Sequence, residues 1–304
     1  MELAQIGEIV SWVSPHKVSY DALQAAMGNA GVPLTLALDM RPSNAWRRAA
    51  HTLEENRVIR ETFSDKDTLH FQFTAEYLSG REFHYQKECD MVLDKKSGIV
   101  TCSDYGLEQT AQRLINAQMK ERNANDVTRI IQRLFLKDSD LIPIRQQGGV
   151  YFVQESASDV TDRVDAMLLG IGGSIQRFEI RNDAKSSKSV AVSIRDVIYK
   201  MVDDVRTAMA DVDSQDDSVK GSAFMRVAEA QAKLDAYRDL LGDYRAEVET
   251  VLVDVKTGLN KLFSPDDTVE ADEVVSNDTP EPEPDEEPDD EATSVLKQLQ
   301  ALLG

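Results

Sequence analysis

Apolar positions along the chain change their spacing twice, and each change marks a different kind of structure. Over the first 60 residues they recur three and four apart, the period of helices. Ser19-Tyr20-Asp21 precedes Ala22–Met27, with Gly28 or Gly31 as the stop, which predicts one helix. Ser43 can cap a second, running through Ala45, Trp46, Ala49 and Leu53 towards Val58. From Thr68 the period becomes two. Leu69, Phe71 and Phe73 alternate with polar residues, as do Phe83 and Tyr85, while Met91–Leu93 and Ile99–Cys102 flank the turn Asp94–Gly98. Ser79–Arg81 reads as the preceding turn, so an antiparallel meander is expected.

Helical spacing returns at Leu107–Arg122 and Asp126–Lys137, where Asn125 can cap the second helix. Leu141–Arg145 and Val150–Val153 around Gln146–Gly149 read as a short hairpin. A further helix, Asp159–Leu169, stops at Gly170, and Ser174–Ile180 alternates as a strand. The expected body, residues 1–188, is therefore α+β, with a helix–helix–hairpin (winged-helix-like) element over 109–153. Residues 189–263 differ. Ile194, Ile198, Met201, Val205, Ala208 and Val212 keep a four-three spacing, which resumes at Val227 and runs through Leu234, Leu241, Val248 and Val255 to Leu262. That is a coiled-coil seam, and two such arms predict a long antiparallel helical hairpin. Gly242 and Gly258 interrupt the second arm.

Charge sharpens the division. The chain has 304 residues and a net charge of −20. Residues 1–200 hold −2 of it, 201–262 hold −5 and 263–304 hold −13. The body is thus nearly neutral, and the acid sits in a tail whose stretch Asp278–Glu291 has nine acids and four prolines. Residues 264–292 are expected to be a disordered acidic linker. In the final segment, 293–304, Val295, Leu296, Leu299, Leu302 and Leu303 fall on one face of a short amphipathic helix, the pattern of a docking peptide. The start lacks a basic n-region, no apolar run is long enough for a bilayer, and two cysteines make no disulfide framework. A cytoplasmic protein away from membranes is the expectation.

Two sets of basic residues carry candidate chemistry. Arg129, Arg133 and Lys137 lie four apart on one predicted helix, with Arg113, Lys120 and Arg122 before them and Arg145 after. Over 109–153 there are seven basic and four acidic residues, as a phosphate-contacting element would need; a solvated helix face has the same pattern. Arg41, Arg47, Arg48, Arg57 and Arg60, with His51 between them, form a second set suited to phosphate, to an acidic partner, or to the chain's own tail. His70, His84, Cys89 and Cys102 fall within the meander, but their spacing lacks the close pairs of a zinc site, so no metal and no cofactor is expected. Gly170–Gly173 follows a helix rather than preceding one, which makes it a helix stop, not a phosphate cradle. No catalytic residue stands out.

Arg41–Ala49 (RPSNAWRRA) and Gly148–Val153 (GGVYFV) resemble strings paired in an uncharacterised family of phage and bacterial proteins, over roughly residues 10–200. The resemblance implies a phage or plasmid origin and brings no assigned chemistry. The leading expectation is a non-enzymatic interaction or scaffold protein that presents its coiled coil and C-terminal helix to a protein partner, with self-association open. The alternative is a nucleic-acid-binding protein using residues 109–153, with the acidic tail as an electrostatic competitor.

Overall fold

The computed structural model describes residues 3–54, 57–79, 82–145, 147–210 and 217–263. In chain order the elements are β1 (Gln5–Val13), β2 (Lys17–Ser19), α1 (Tyr20–Asn29), α2 (Pro42–Leu53), β3 (Arg57–Ser64), β4 (Thr68–Ser79), β5 (Glu82–Asp94), β6 (Val100–Cys102), α3 (Tyr105–Lys120), β7 (Glu121–Asn123), α4 (Ala124–Asp138), β8 (Ile142–Pro143), β9 (Tyr151–Gln154), α5 (Ser158–Gly170), β10 (Ser174–Arg181), α6 (Ala184–Ala210), α7 (Asp217–Ala236), α8 (Arg238–Leu241) and α9 (Arg245–Phe263). This is a mixed α+β chain with antiparallel pairing, as the change of period predicts. It divides into two compact units, Gly7–Leu141 with Val153–Glu179, and the described parts of Met1–Ile6, Ile142–Phe152 and Ile180–Gly304.

In the first unit the meander forms a sheet of order β3-β4-β5-β6. Its turn at Asp94–Gly98 exists because Asp94 Oδ1 accepts the Lys96 and Ser97 N–H groups at 3.0 and 2.6 Å, and Gly98 takes φ +73°, a conformation costly for other residues. Alternation in β4 puts Leu69, Phe71 and Phe73 on one face, where α2 covers them with Ala45, Trp46, Ala49 and Leu53. Trp46 meets Phe71 edge-on at 5.0 Å between ring centres. Elsewhere in this unit α1 and α4 both pack on α5, burying Leu23, Met27, Ile131, Phe135, Val164 and Met167. The turn after α5, with Gly172 at φ +78° and the Gly173 N–H donating to the Leu168 carbonyl at 2.8 Å, is the predicted helix stop.

Four strands are hidden from the periodicity: the three-residue β2 and β7, and the longer β1 and β3. The helix expected to run towards Val58 stops at Leu53, and β3 pairs with β4 in the register Ile59↔Phe73. β1 lies where the spacing reads as helical, beside β10; Glu8, buried on it, pairs with Arg177 at 2.8 Å. The caps also move. Arg41, not Ser43, is the N-cap of α2, with Pro42 in its first turn, and Asn123, not Asn125, caps α4 in a reciprocal box with Asp126.

The winged-helix-like element does not form. A helix-turn-helix needs its two helices packed on each other. Here β7, paired antiparallel with β2, separates them, and α3 packs on α2 and β6 whereas α4 packs on α5. The expected wing, Ile142–Phe152, belongs to the other compact unit; there Ile142 pairs with Phe152 and Pro143 with Tyr151, and the Ile144 N–H donates to the Val150 carbonyl at 3.0 Å.

In the second unit the long hairpin is also replaced. The second arm breaks at Tyr237–Tyr244, where Gly242 takes φ +51°, so α6, α7 and α9 pack pairwise as three helices. The reason the seam conceals this break is plain in the burial. Val227, Ala230, Leu234, Tyr237, Leu241, Val248, Val255 and Leu259 are all buried, including those in the turn, so the apolar spacing never lapses. Gly258 serves a different purpose from Gly242: a Cβ there would lie 3.1 Å from Met209 Cε, so it allows α9 close to α6. Residues 264–304, with the expected linker and docking helix, lie outside the described residues.

Candidate functional site

Within the first unit, three elements converge on a cleft of about 240 Å³. One wall is the segment Leu36–Met40, which leaves a 3-10 turn at Leu34–Leu36. A second is the start of α2, with Arg41, Asn44 and Arg48. The third is β7 and the exposed stripe of α4, with Arg122, Asp126, Arg129 and Arg133. Five arginines and two carboxylates, Asp39 and Asp126, therefore line one concavity.

The helices fix how these groups present themselves. On α4 the buried stripe Val127, Ile130, Ile131, Leu134, Phe135 turns Arg129 and Arg133 outward four residues apart. On α2 the buried Ala45 and Trp46 leave Arg41, Asn44 and Arg48 facing the cleft. Arg48 and Asp126 form a two-pronged pair, both contacts 2.7 Å. Burial raises the Asp126 carboxyl, but the Arg48 hydrogen bond, the Asn123 N–H and the charges of Arg48 and Arg122 outweigh it and hold it below the ordinary range. Arg48 is held charged by the same hydrogen bond.

Arg122 is the least expected residue. It is only 4% exposed, and its guanidinium lies over the Tyr20 ring, 3.9 Å from the centroid. It donates to the carbonyls of Met119, Glu121 and Leu38 at 3.1, 2.9 and 3.4 Å, and no described carboxylate is bonded to it. This buried cation is held by neutral oxygens and an aromatic face, and its charge helps to keep the Asp126 carboxyl low. Tyr20 in turn donates to the Ala37 carbonyl or to Asp39, both 3.0 Å away.

The remaining arginines of the cleft have no ion pair among the described residues. Arg133 reaches only the Leu36 carbonyl, at 3.4 Å, and the guanidinium groups of Arg41 and Arg129 have no hydrogen bond or ion pair among the described residues. With one of two carboxylates already occupied by Arg48, the cleft carries a net positive charge in a chain of −20. Its chemistry is that of an anion receptor: planar donors matched to phosphate or carboxylate oxygens.

The two basic sets read from the sequence thus divide differently in space. Arg41 and Arg48 of one set join Arg122, Arg129 and Arg133 of the other. Arg47 and Arg57 are taken by Glu61 and Glu88, at 3.2 and 2.6 Å. Arg113, Lys120 and Lys137 are exposed outside the cleft, and Arg145 lies in the second unit. Val295, Leu296, Leu299, Leu302 and Leu303 lie outside the described residues. Of the four His and Cys residues, Cys89 and Cys102 meet, whereas His70 packs on Phe63 and His84 stacks on Tyr77. Among the described residues no cluster of three or more His, Cys, Asp or Glu is placed to hold a metal, and no helix is long and apolar enough to cross a membrane. Linear spacing separates residues 41–48 from 122–133; the Arg48–Asp126 pair joins them, and the β2–β7 pairing holds Arg122 beside Tyr20.

Neither the curated proteins nor the solved structures contain a match to the chain. Residues 5–266, which include every residue lining the cleft, match one family over most of the chain. The chain belongs to DUF6744, a family of unknown function.

Proposed function

We propose that the chain is a non-enzymatic binding protein whose arginine cleft takes backbone phosphates of nucleic acid. One observation carries this reading: five arginines share a cleft in which Arg41 and Arg129 have no partner among the described residues. Three of the five, Arg41, Arg129 and Arg133, are exposed at the rim, as contacts to a continuing backbone require, and Lys137 extends the α4 stripe by one more turn. The reading keeps α4 as the contacting helix but not the winged-helix docking, so it proposes phosphate contacts rather than base readout.

The test is binding of labelled single-stranded and duplex oligonucleotides across a salt series. Binding at about 50 mM salt that weakens linearly in log–log form supports the reading, and absence of binding there refutes it. Removing residues 264–304, which hold a net −13, is expected to strengthen binding at low salt, as the tail competes for the same cations.

The scaffold reading stands second. Exposed Met225 and Val253 on the helices of the second unit favour it, as surfaces for a partner or a second copy, with Val295–Leu303 as the docking face. A pull-down from the host with and without residues 264–304 distinguishes it, since unchanged partners would remove the docking role. The phage or plasmid association rests on the sequence resemblance, and the cytoplasmic setting on the start of the chain, its short apolar runs and its two cysteines.

A further inference from the structure

Cys89 and Cys102 stand apart from the cleft and from the reading built on it. Cys89 lies on β5 and Cys102 ends β6. Met91 pairs with Cys102, so Cys89, two residues before Met91, lies on the same face of the sheet as Cys102 and diagonal to it. β5 carries an extra residue at Glu88, between the pairs Phe73↔Cys89 and Thr74↔Lys87, and such a bulge bends and twists the strand just where Cys89 begins. The two sulfurs end 2.9 Å apart, both as free thiols. A disulfide needs about 2.05 Å, so closure asks for movement of less than about 1 Å.

We propose that Cys89 and Cys102 form a reversible dithiol–disulfide site, oxidised by exchange with a low-molecular-weight disulfide. The two thiols differ in access. Cys89 is 3% exposed, and burial, then its hydrogen bond with Cys102, pushes its thiol up to about 12. Cys102 is half-buried, and its sulfur accepts the Asp104 N–H at 3.4 Å, at the N-cap of α3. Cys102 is therefore the sulfur an external disulfide can reach. Cys102 gives up its proton, its thiolate attacks one sulfur of the small disulfide to form a mixed disulfide, and the small thiolate released takes up that proton. Cys89 then attacks the Cys102 sulfur, passes its proton to the departing second thiolate, and leaves the Cys89–Cys102 bond. Two protein S–H groups are lost and two small-molecule thiols appear, so the exchange balances.

The test uses the full chain under native conditions with oxidised glutathione as the probe. The expected product is a monomer lighter by about 2 Da, with no thiol left to alkylate after unfolding and with Cys89 and Cys102 joined in the peptide map. Dithiothreitol should restore both thiols. Cys89→Ser should stop at a stable single glutathione adduct on Cys102, and Cys102→Ser should leave Cys89 unmodified. Persistence of two free thiols, a stable glutathione adduct on the unmutated chain, or disulfide-linked dimers would overturn the proposal. The mass and peptide map of the unmutated chain decide it even where a serine variant does not fold.

Discussion

In the cleft and in the helices of the second unit, arginines are used in opposite ways. On α6, α7 and α9 and the turn between them, Arg195, Arg206, Arg226, Arg238 and Arg245 each face a carboxylate: Asp196, Asp203, Asp204, Asp235 and Glu249. Four of these five pairs join residues within four positions of one another, and apart from the half-buried Arg195 they are exposed, so the exposed pairs contribute little beyond solubility. In the cleft only Arg48 is matched in this way. Arg122 is buried on carbonyls and a tyrosine ring, and Arg41 and Arg129 are left over. The number of arginines is similar in the two regions. What differs is how many carboxylates accompany them, and that difference separates a solvated surface from a receptor.

Substitutions can break this contrast, and the largest effect is expected at Trp46. It is fully buried between α2 and the sheet, so Trp46→Ala should cost about 3–5 kcal/mol in chemical denaturation and should weaken anion binding as α2 loses its seat. Ile198→Ala, equally buried in α6, should cost about 2–5 kcal/mol yet leave anion affinity unchanged below the unfolding transition. Loss of binding in both would mean that the cleft is not the receptor.

Asp126→Asn comes next. It removes the two-pronged partner of Arg48 and half of the α4 capping box, and should cost roughly 2–3 kcal/mol, less than a fully buried pair because both groups keep some solvent. Its pH dependence has a definite sign. The folded Asp126 carboxyl titrates below its unfolded value, so its contribution is complete above about pH 5 and fades as acid protonates the folded form below about pH 4. Stability curves of the variant and the unmutated chain should therefore converge on acidification.

Smaller still in stability, though not in function, are the rim positions. Arg41→Ala and Arg129→Ala should each change stability by less than about 0.5 kcal/mol, because neither guanidinium has a partner to lose among the described residues, while each weakens phosphate binding by about tenfold. Arg245→Ala, which loses an exposed pair with Glu249, should shift stability by less than about 1 kcal/mol and leave binding as it was.

How much of the molecule is legible in the sequence depends on which forces act locally. The meander, α4 and the turn at Asp94–Gly98 are written in alternation, helical spacing and side-chain-to-backbone bonds, all within a few residues of one another. β3 is lost because Arg57-Val58-Ile59 directly follows a helix and carries too few apolar residues to announce a new period. The turn at Gly242 is lost because Tyr237 and Leu241 are buried within it and continue the seam. The cleft is half legible. Arg41, Arg48, Arg129 and Arg133 stand out as cations, but their union depends on tertiary contacts such as Arg48–Asp126, 78 residues apart in sequence. Arg122 in particular looks like one more surface cation; the signal that could single it out is its place beside the Asn123-Ala124-Asn125-Asp126 box, which fixes β7 as the hinge into α4. Likewise Cys89 and Cys102 look isolated, and only strand register brings their sulfurs into contact.

The central claim, that unpartnered arginines make the cleft a phosphate receptor, is tested most directly by the salt dependence of single-stranded oligonucleotide binding in the unmutated chain and in the Arg41→Ala/Arg129→Ala double variant. Each phosphate contact adds about 0.7 to the slope of log affinity against log salt, so the double variant should bind more weakly with a slope shallower by about 1.4. An unchanged slope and affinity, with the fold intact, would contradict the claim.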